Sequence, residues 1–315
     1  AAALALAPTL APHAAELGDL PATTKWVACL DIKAVQASPL ASYAVSKVAP
    51  EKRRQAQAKL AALKAMLGVD LLNDVKEIVV AGDGAAQSGG TAYVYANLDA
   101  ERLTTILAGN PTFSSEDRNG FKLLSWTDDN DKKQKFGSFV RPGLTLISDK
   151  KECVAEALDV LAGKRPGLAE NSPLAPAIKK SAGEFATLMA IDVPSIIGEQ
   201  PKAQALRQTQ TLSLHLYVRG PDALGAALSV TAASDETALQ VRQALLGIQA
   251  LALLRAAEAP GQAALAQMTK IAGDGQTASV SLELTRQMIE DILSRRAARA
   301  APAAAPVAQP LAPAN

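Results

Sequence analysis

The sequence predicts an α+β fold of two similar, mainly antiparallel sheets with helices packed on one face, and three observations lead there. Short apolar runs bounded by turn residues come in consecutive pairs, the pattern of antiparallel hairpins. One order of elements (strand, connection, two strands, helix, hairpin strands, helix) runs through the chain twice, with Leu30-Asp31-Ile32 answered by Ile191-Asp192-Val193. A unit of strand, helix and closing glycine at Leu144–Gly163 is echoed at Ser279–Ser294.

Taken in order, Trp26–Ile32 reads as the first strand. Ser38-Pro39 then offers a helix cap and a proline at the first helical position, and helix continues, broken at Pro50, to Leu67. Val75–Ala81 and Thr91–Leu98 are strands joined by the glycine-rich Gly82–Gly90, which is expected to be a hairpin needing positive φ. It is not a phosphate loop, because no helix follows it and GxxxxGK[ST] is absent. Asp99 caps a helix to Leu107, and Phe121–Thr127 pairs with Lys135–Val140. In Leu144–Gly163, Ser148 or Asp149 caps a helix whose Cys153, Val154, Ala157, Leu158 and Leu161 recur at helical spacing before Gly163 stops it.

Lys164–Pro176 reads as a domain boundary. Beyond it, Phe185–Val193 is a strand, and Leu212–Arg219 with Leu224–Ala232 is a hairpin. Asp235 caps the longest helix, Glu236–Glu258, apolar on more than one side and so expected to be buried in a core or at a subunit interface. Ile271–Gly275 turns into the strand Ala278–Leu284, and Thr285 starts a helix over Arg286–Leu293. The expected division is a disordered leader remnant over 1–25, one module over 26–180, a second over 181–296, and a disordered Ala/Pro tail over 297–315.

The 315 residues suffice for two such modules, and 49% hydrophobic against 20% charged residues describes a globular chain. A net charge of +1 gives no electrostatic reason to expect nucleic acid as partner, and 3% aromatic residues leave few rings for stacking on bases. The opening AAALALAPTLAP resembles the end of a signal-peptide apolar region, so export to the periplasm or beyond is expected. Trp26-Val27-Ala28-Cys29 is rejected as a lipidation site because no apolar region precedes it. No uncharged apolar run of membrane-spanning length follows the leader.

Candidates for chemistry are few. With 2 His and 2 Cys the chain lacks the four ligands that a structural zinc site usually takes. Cys29 and Cys153 read as buried thiols or as one disulfide. Three carboxylates in Asp128-Asp129-Asn130-Asp131 invite a calcium reading, which Lys132, Lys133 and the missing turn glycine oppose. His215 alternates with Leu214 and Leu216 and points away from the apolar side; no nucleophile is tied to it by spacing. The basic side of Glu51–Leu67 (Lys52, Arg53, Arg54, Lys59 and Lys64) reads as a solvated helix face before an anion site.

No catalytic, cofactor-binding or metal-binding residue is therefore assigned. The SPLA element at Ser38–Ala41 and again at Ser172–Ala175, the strand Phe121–Thr127 with Trp126, and the run closing at Gly163 together resemble a group of uncharacterised exported bacterial α+β proteins built from paired modules. The resemblance implies a fold and carries no activity. The expected function is a non-enzymatic binding or scaffold protein of the cell envelope, taking a protein or apolar ligand. The alternatives are a subunit of a larger assembly and a hydrolase using carboxylates such as Asp31 and Asp192.

Overall fold

A computed structural model describes residues 15–290 apart from 71, 85–88, 130, 180–182, 198–206, 221–222, 257–259 and 289. In chain order the first half comprises β1 (Trp26–Asp31), α1 (Ile32–Ala37), α2 (Pro39–Ser46), α3 (Pro50–Leu67), β2 (Val75–Gly82), β3 (Thr91–Ala96) and α4 (Ala100–Ala108). It continues with β4 (Ser114–Arg118), β5 (Phe121–Thr127), β6 (Gln134–Arg141), β7 (Gly143–Ser148), α5 (Lys151–Leu161) and α6 (Ala175–Lys179). The second half holds β8 (Glu184–Ile191), α7 (Val193–Ile197), β9 (Thr209–Val218), β10 (Ala223–Ala232), α8 (Asp235–Leu254), α9 (Pro260–Met268), β11 (Lys270–Ala272) and β12 (Thr277–Thr285).

The chain is α+β, as its pattern predicts, but it builds one sheet where two were expected. Twelve strands lie in the order β11-β12-β10-β9-β8-β1-β2-β3-β7-β6-β5-β4, every neighbouring pair antiparallel. The junction is the pairing of β1 with β8, from Trp26 opposite Ala190 to Leu30 opposite Ala186. On either side of that junction the course is alike in outline, although four strands, β4–β7, complete the first half and two, β11 and β12, the second. The chain adds two strands, leaves for helix after β3 or β10, re-enters at the sheet's edge as β4 or β11, and returns to pair with the strand it left.

Strand alternation gives the sheet two unlike faces. One cross-strand row reads Leu124, Gly137, Ile147, Ala92, Val80, Ala28, Leu188, Leu214, Leu228, Val280 and Ile271. This face is apolar across eleven strands. The row behind it reads Ser138, Leu146, Tyr93, Val79, Cys29, Thr187, His215, Ala227, Ser281 and Lys270, which is largely apolar as far as β1 and largely polar from β8 outward.

The dense core lies on the Tyr93 face of the first half, where Val154 and Leu158 of α5, both fully buried, meet Val27, Val79, Tyr93 and Leu146. Leu103, Ile106 and Leu107 of α4 face Ile78 and Val94, the opposite parity. Helices therefore cover both faces, not one. α4 is driven to the second face because that face is apolar too, and an apolar sheet surface needs its own cover.

Two segments expected to lie outside the core belong to it. Residues 15–25, assigned to a disordered leader, carry Leu17 and Leu20, the latter with no exposure at all. The buried Asp19 accepts hydrogen bonds from Tyr95 Oη (3.1 Å) and Arg141 Nη2 (2.8 Å). Lys164–Pro176, expected as a boundary, closes over this segment: Leu168 N donates to Leu20 O (2.8 Å), Ala22 N donates to Pro166 O (3.1 Å), and Leu174 is fully buried. Gly167 sits so close that a Cβ there would lie 2.3 Å from Gly18 O. This strap and the β1–β8 ladder join the described residues on the two sides of the expected boundary in one sheet.

Smaller differences have local causes. β4, Ser-Ser-Glu-Asp-Arg, gives no apolar alternation because it is an exposed edge strand, and charge there discourages pairing with another chain. Asp31 caps α1 by accepting from Ala34 N at 2.8 Å. The cap of α8 is Ser234, accepting from Thr237 N at 3.2 Å, one residue before the expected Asp235. Only Ala238 of α8 is buried within the chain, so of the two places expected for this helix, a core or a subunit interface, the core of its own chain is not where it lies. The helix expected over Arg286–Leu293 is seen at Arg286–Met288 and Glu290; 289, 291–293, the whole of the 297–315 tail and 1–14 lie outside the described residues.

Candidate functional site

The site worth weighing first is the space between α4 and the apolar face of β2, β3, β7, β6 and β5. Asp99 starts α4 by accepting from Arg102 N at 3.0 Å, which fixes where the helix leaves the sheet. The spacing of Leu103, Ile106 and Leu107 then turns one apolar stripe downward. Beneath it, Ile78, Val94, Leu124, Trp126, Phe139 and Ile147 form a floor. The helix stands off that floor and leaves a pocket of about 380 Å³. Gly137 in the middle of β6 contributes to the room: a Cβ there would meet Trp126 Cη2 at 3.3 Å and Leu146 O at 2.8 Å.

The chemistry of this lining is uniform. Apart from Gly137, Ser138 and Thr145, every lining residue is apolar, and none is ionisable. Such a space fits a hydrocarbon group and offers nothing to hold a charge. Ile106 (39% exposed) and Ile147 (39%) stand at its open side.

A second pocket, about 390 Å³, differs in kind. It lies between α5 and β4–β6, with Ser114, Glu116, Ser125, Gln134, Lys151 and Glu152 on its walls. Lys151 and Glu116 are paired across it at 2.8 Å, and the hydroxyls of Ser114 and Ser125 lie 2.8 Å apart. Lys151 with Glu116, and Ser114 with Ser125, are thus already partnered within the pocket.

The carboxylates named from sequence do not converge. Asp31 ends β1 and Asp192 directly follows β8; the two strands run antiparallel, so the carboxylates stand at opposite ends of that pair, about 23 Å apart at roughly 3.3 Å per residue. Asp192 is held by Lys25 Nζ at 2.8 Å, and this ammonium, with the Ser195 hydroxyl, keeps its carboxyl below the usual range. In the β5–β6 turn, Asp129 pairs with Lys132 (3.3 Å) and Asp131 with Lys135 (2.9 Å). A hydrogen bond from Lys133 N, then Lys135, lowers the Asp131 pKa. No group of three His, Cys, Asp or Glu side chains suited to a metal occurs among the described residues.

Cys29 and Cys153 are not joined to each other in a disulfide. Cys29 is buried at the centre of the sheet, and Cys153 is partly exposed on α5, where burial, then the Asp83 carboxylate, pushes its pKa up. On the basic helix α3, Arg54 pairs with Glu51 and Lys64 with Asp70, at 2.5 and 2.8 Å. The glycines flanking the β2–β3 turn serve Trp26: a Cβ on Gly82 would lie 2.7 Å from its ring, and one on Gly90 3.0 Å from it. Positive φ is needed at Gly89 alone of the three. Residues 85–88 lie outside the described residues.

Sequence reasoning passed over one pair. His215 Nδ1 lies 3.0 Å from Glu184 Oε1, on the polar face where β8 and β9 meet. A bulge between Glu184 and Ala186 shifts the register there, which no periodicity forecasts.

No family model matches the chain, and no curated protein does. A solved structure described as "Structure of crystal form I of TP0453" superposes with a TM-score of 0.47 at 10% identity, covering 91% of this chain and 98% of that one. Likeness at that level carries no argument here. The reading of the site rests on its own geometry.

Proposed function

We propose that the protein is an exported, non-enzymatic binding protein of the cell envelope that takes an apolar ligand beneath α4. One observation carries the reading: a pocket of about 380 Å³, within the range of ligand sites, whose lining holds no ionisable group. Apolar lining left open to water costs roughly 25 cal/mol per Å² of surface. An occupant recovers that energy. The export reading draws on the Ala/Leu-rich opening residues.

The test is native mass spectrometry of the purified full chain, together with titration of a fluorescent fatty acid. The expected result is a co-purified apolar ligand, or saturable uptake of the probe at one site. Ile106→Asp, at a partly exposed position, should abolish uptake without changing the circular dichroism spectrum. Equal uptake by wild type and Ile106→Asp would refute the site, and recovery of the natural protein in the cytosolic fraction would refute the envelope location.

A further inference from the structure

α8 presents Leu239, Leu246, Ile248, Leu251, Leu253 and Leu254 to solvent, each between 37% and 82% exposed. Between Glu236 and Arg255 the only charged side chain is Arg242, and it is turned inward, donating to Thr277 O (2.7 Å) and Gly275 O (3.2 Å). Gln249 is likewise turned inward, onto Ala266 O and Thr269 O. Gln240 and Gln243 are exposed among these leucines, so the outer side is apolar apart from two uncharged amides and carries no charge.

Gly247 sits in the middle of this surface. A Cβ there would meet nothing within 4 Å, so packing within the chain gives no reason for glycine, although mid-helix glycine costs about 1 kcal/mol against alanine. A glycine at such a point lets a second backbone approach closely. The charges say from which direction. Asp235 and Glu236 begin the helix and Arg255 follows its end, all exposed, so an antiparallel copy brings each acidic end against a basic one.

We propose that α8 is a self-association surface on which two copies of the chain pair antiparallel about a two-fold axis at Leu246 and Gly247. Leu239, Leu246 and Leu253 recur every seven residues and so share one side of the helix. In this register Leu246 faces its own counterpart, Leu239 faces Leu253 of the partner subunit, and Arg255 lies within a turn of the partner's Glu236. A two-fold contact uses the same patch on both copies, which this palindromic spacing satisfies. The proposal is independent of the pocket under α4. It also accounts for the exposure of a helix that is, by length and composition, apolar enough to cross a membrane.

The test is sedimentation velocity of the full chain at micromolar concentrations, without detergent. The expected species has twice the mass of the 32.6 kDa chain. Leu246→Glu and Gly247→Leu should each weaken the dimer by at least about tenfold, with an unchanged circular dichroism spectrum because both sites are open in the monomer. Oxidation of Leu246→Cys should give a covalent dimer, and Leu239→Cys should not. A monomer at all concentrations that co-sediments with phosphatidylcholine and phosphatidylglycerol vesicles would overturn the proposal in favour of a lipid surface. So would a dimer indifferent to both substitutions.

Discussion

Replacing Leu20 with alanine tests whether residues 15–25 are structure or leader. Leu20 is fully buried and its carbonyl accepts from Leu168 N, so the truncation opens a cavity between the N-terminal strap, the core under α5 and the 164–176 segment. Buried Leu→Ala changes cost about 2–5 kcal/mol, and a site with no exposure belongs near the middle, about 3 kcal/mol. With a urea m-value of about 3 kcal/mol/M for a chain of this size, the unfolding midpoint should fall by about 1 M. Far-UV circular dichroism in urea at neutral pH reads this directly. Leu72→Ala, at a residue 48% exposed, is the control and should stay within about 0.5 kcal/mol of wild type. If Leu20→Ala costs no more than Leu72→Ala, the segment is not part of the folded unit and the strap argument fails.

Three further outcomes follow from geometry already described. Gly167→Ala should destabilise by about 1–3 kcal/mol, because its Cβ meets the backbone at Gly18 and not a side chain that could swing away; an unchanged melting curve would contradict that contact. Asp159 accepts Arg118 Nε and Nη2 at 3.0 and 2.7 Å and Asn119 Nδ2 at 2.6 Å, which lowers its pKa in the folded state. Its contribution is therefore present above the ordinary carboxylate value and lost as pH falls through the lowered one. Asp159→Asn should cost about 1–2 kcal/mol at neutral pH and nothing measurable in acid below that lowered value, and a pH-independent difference in urea midpoints would refute the linkage. A thiol-reactive dye should modify Cys153 slowly, since burial and Asp83 disfavour its thiolate, and reach Cys29 only on unfolding; rapid labelling of both in native buffer would be inconsistent with the fold.

Much of the secondary structure was legible because local signals set it. The alternation of Val75–Ala81, the cap at Asp99 and the helical spacing of Val154, Ala157 and Leu158 each appear where expected. What stayed hidden was set by contacts distant in the chain. Whether β1 pairs with β8 depends on edges meeting, and Ala28 and Leu188 look the same in one sheet or two. Leu20 lies among Ala, Pro and Thr and carries no periodicity; its burial comes from Leu168, far along the chain. The pocket was half legible: Leu103 and Leu107 announce an apolar stripe, but the gap beneath it depends on Gly137 and Trp126 meeting across β5 and β6. His215 was read as pointing away from the apolar side, which its row confirms, while its carboxylate partner depends on a bulge.

The β1–β8 junction also sets a timetable. β1 is synthesised first, but the strand that covers its outer side begins about 150 residues later, which at roughly 5–20 residues per second is on the order of ten to thirty seconds of translation. Throughout that interval the N-terminal half can fold its own core yet holds a row of unsatisfied backbone groups in the middle of the future molecule. Two nascent chains close together could satisfy those groups with each other. Slowing synthesis between codons 31 and 184 should accordingly lower the yield of native protein, and a chaperone that occupies the β1 strand should restore it.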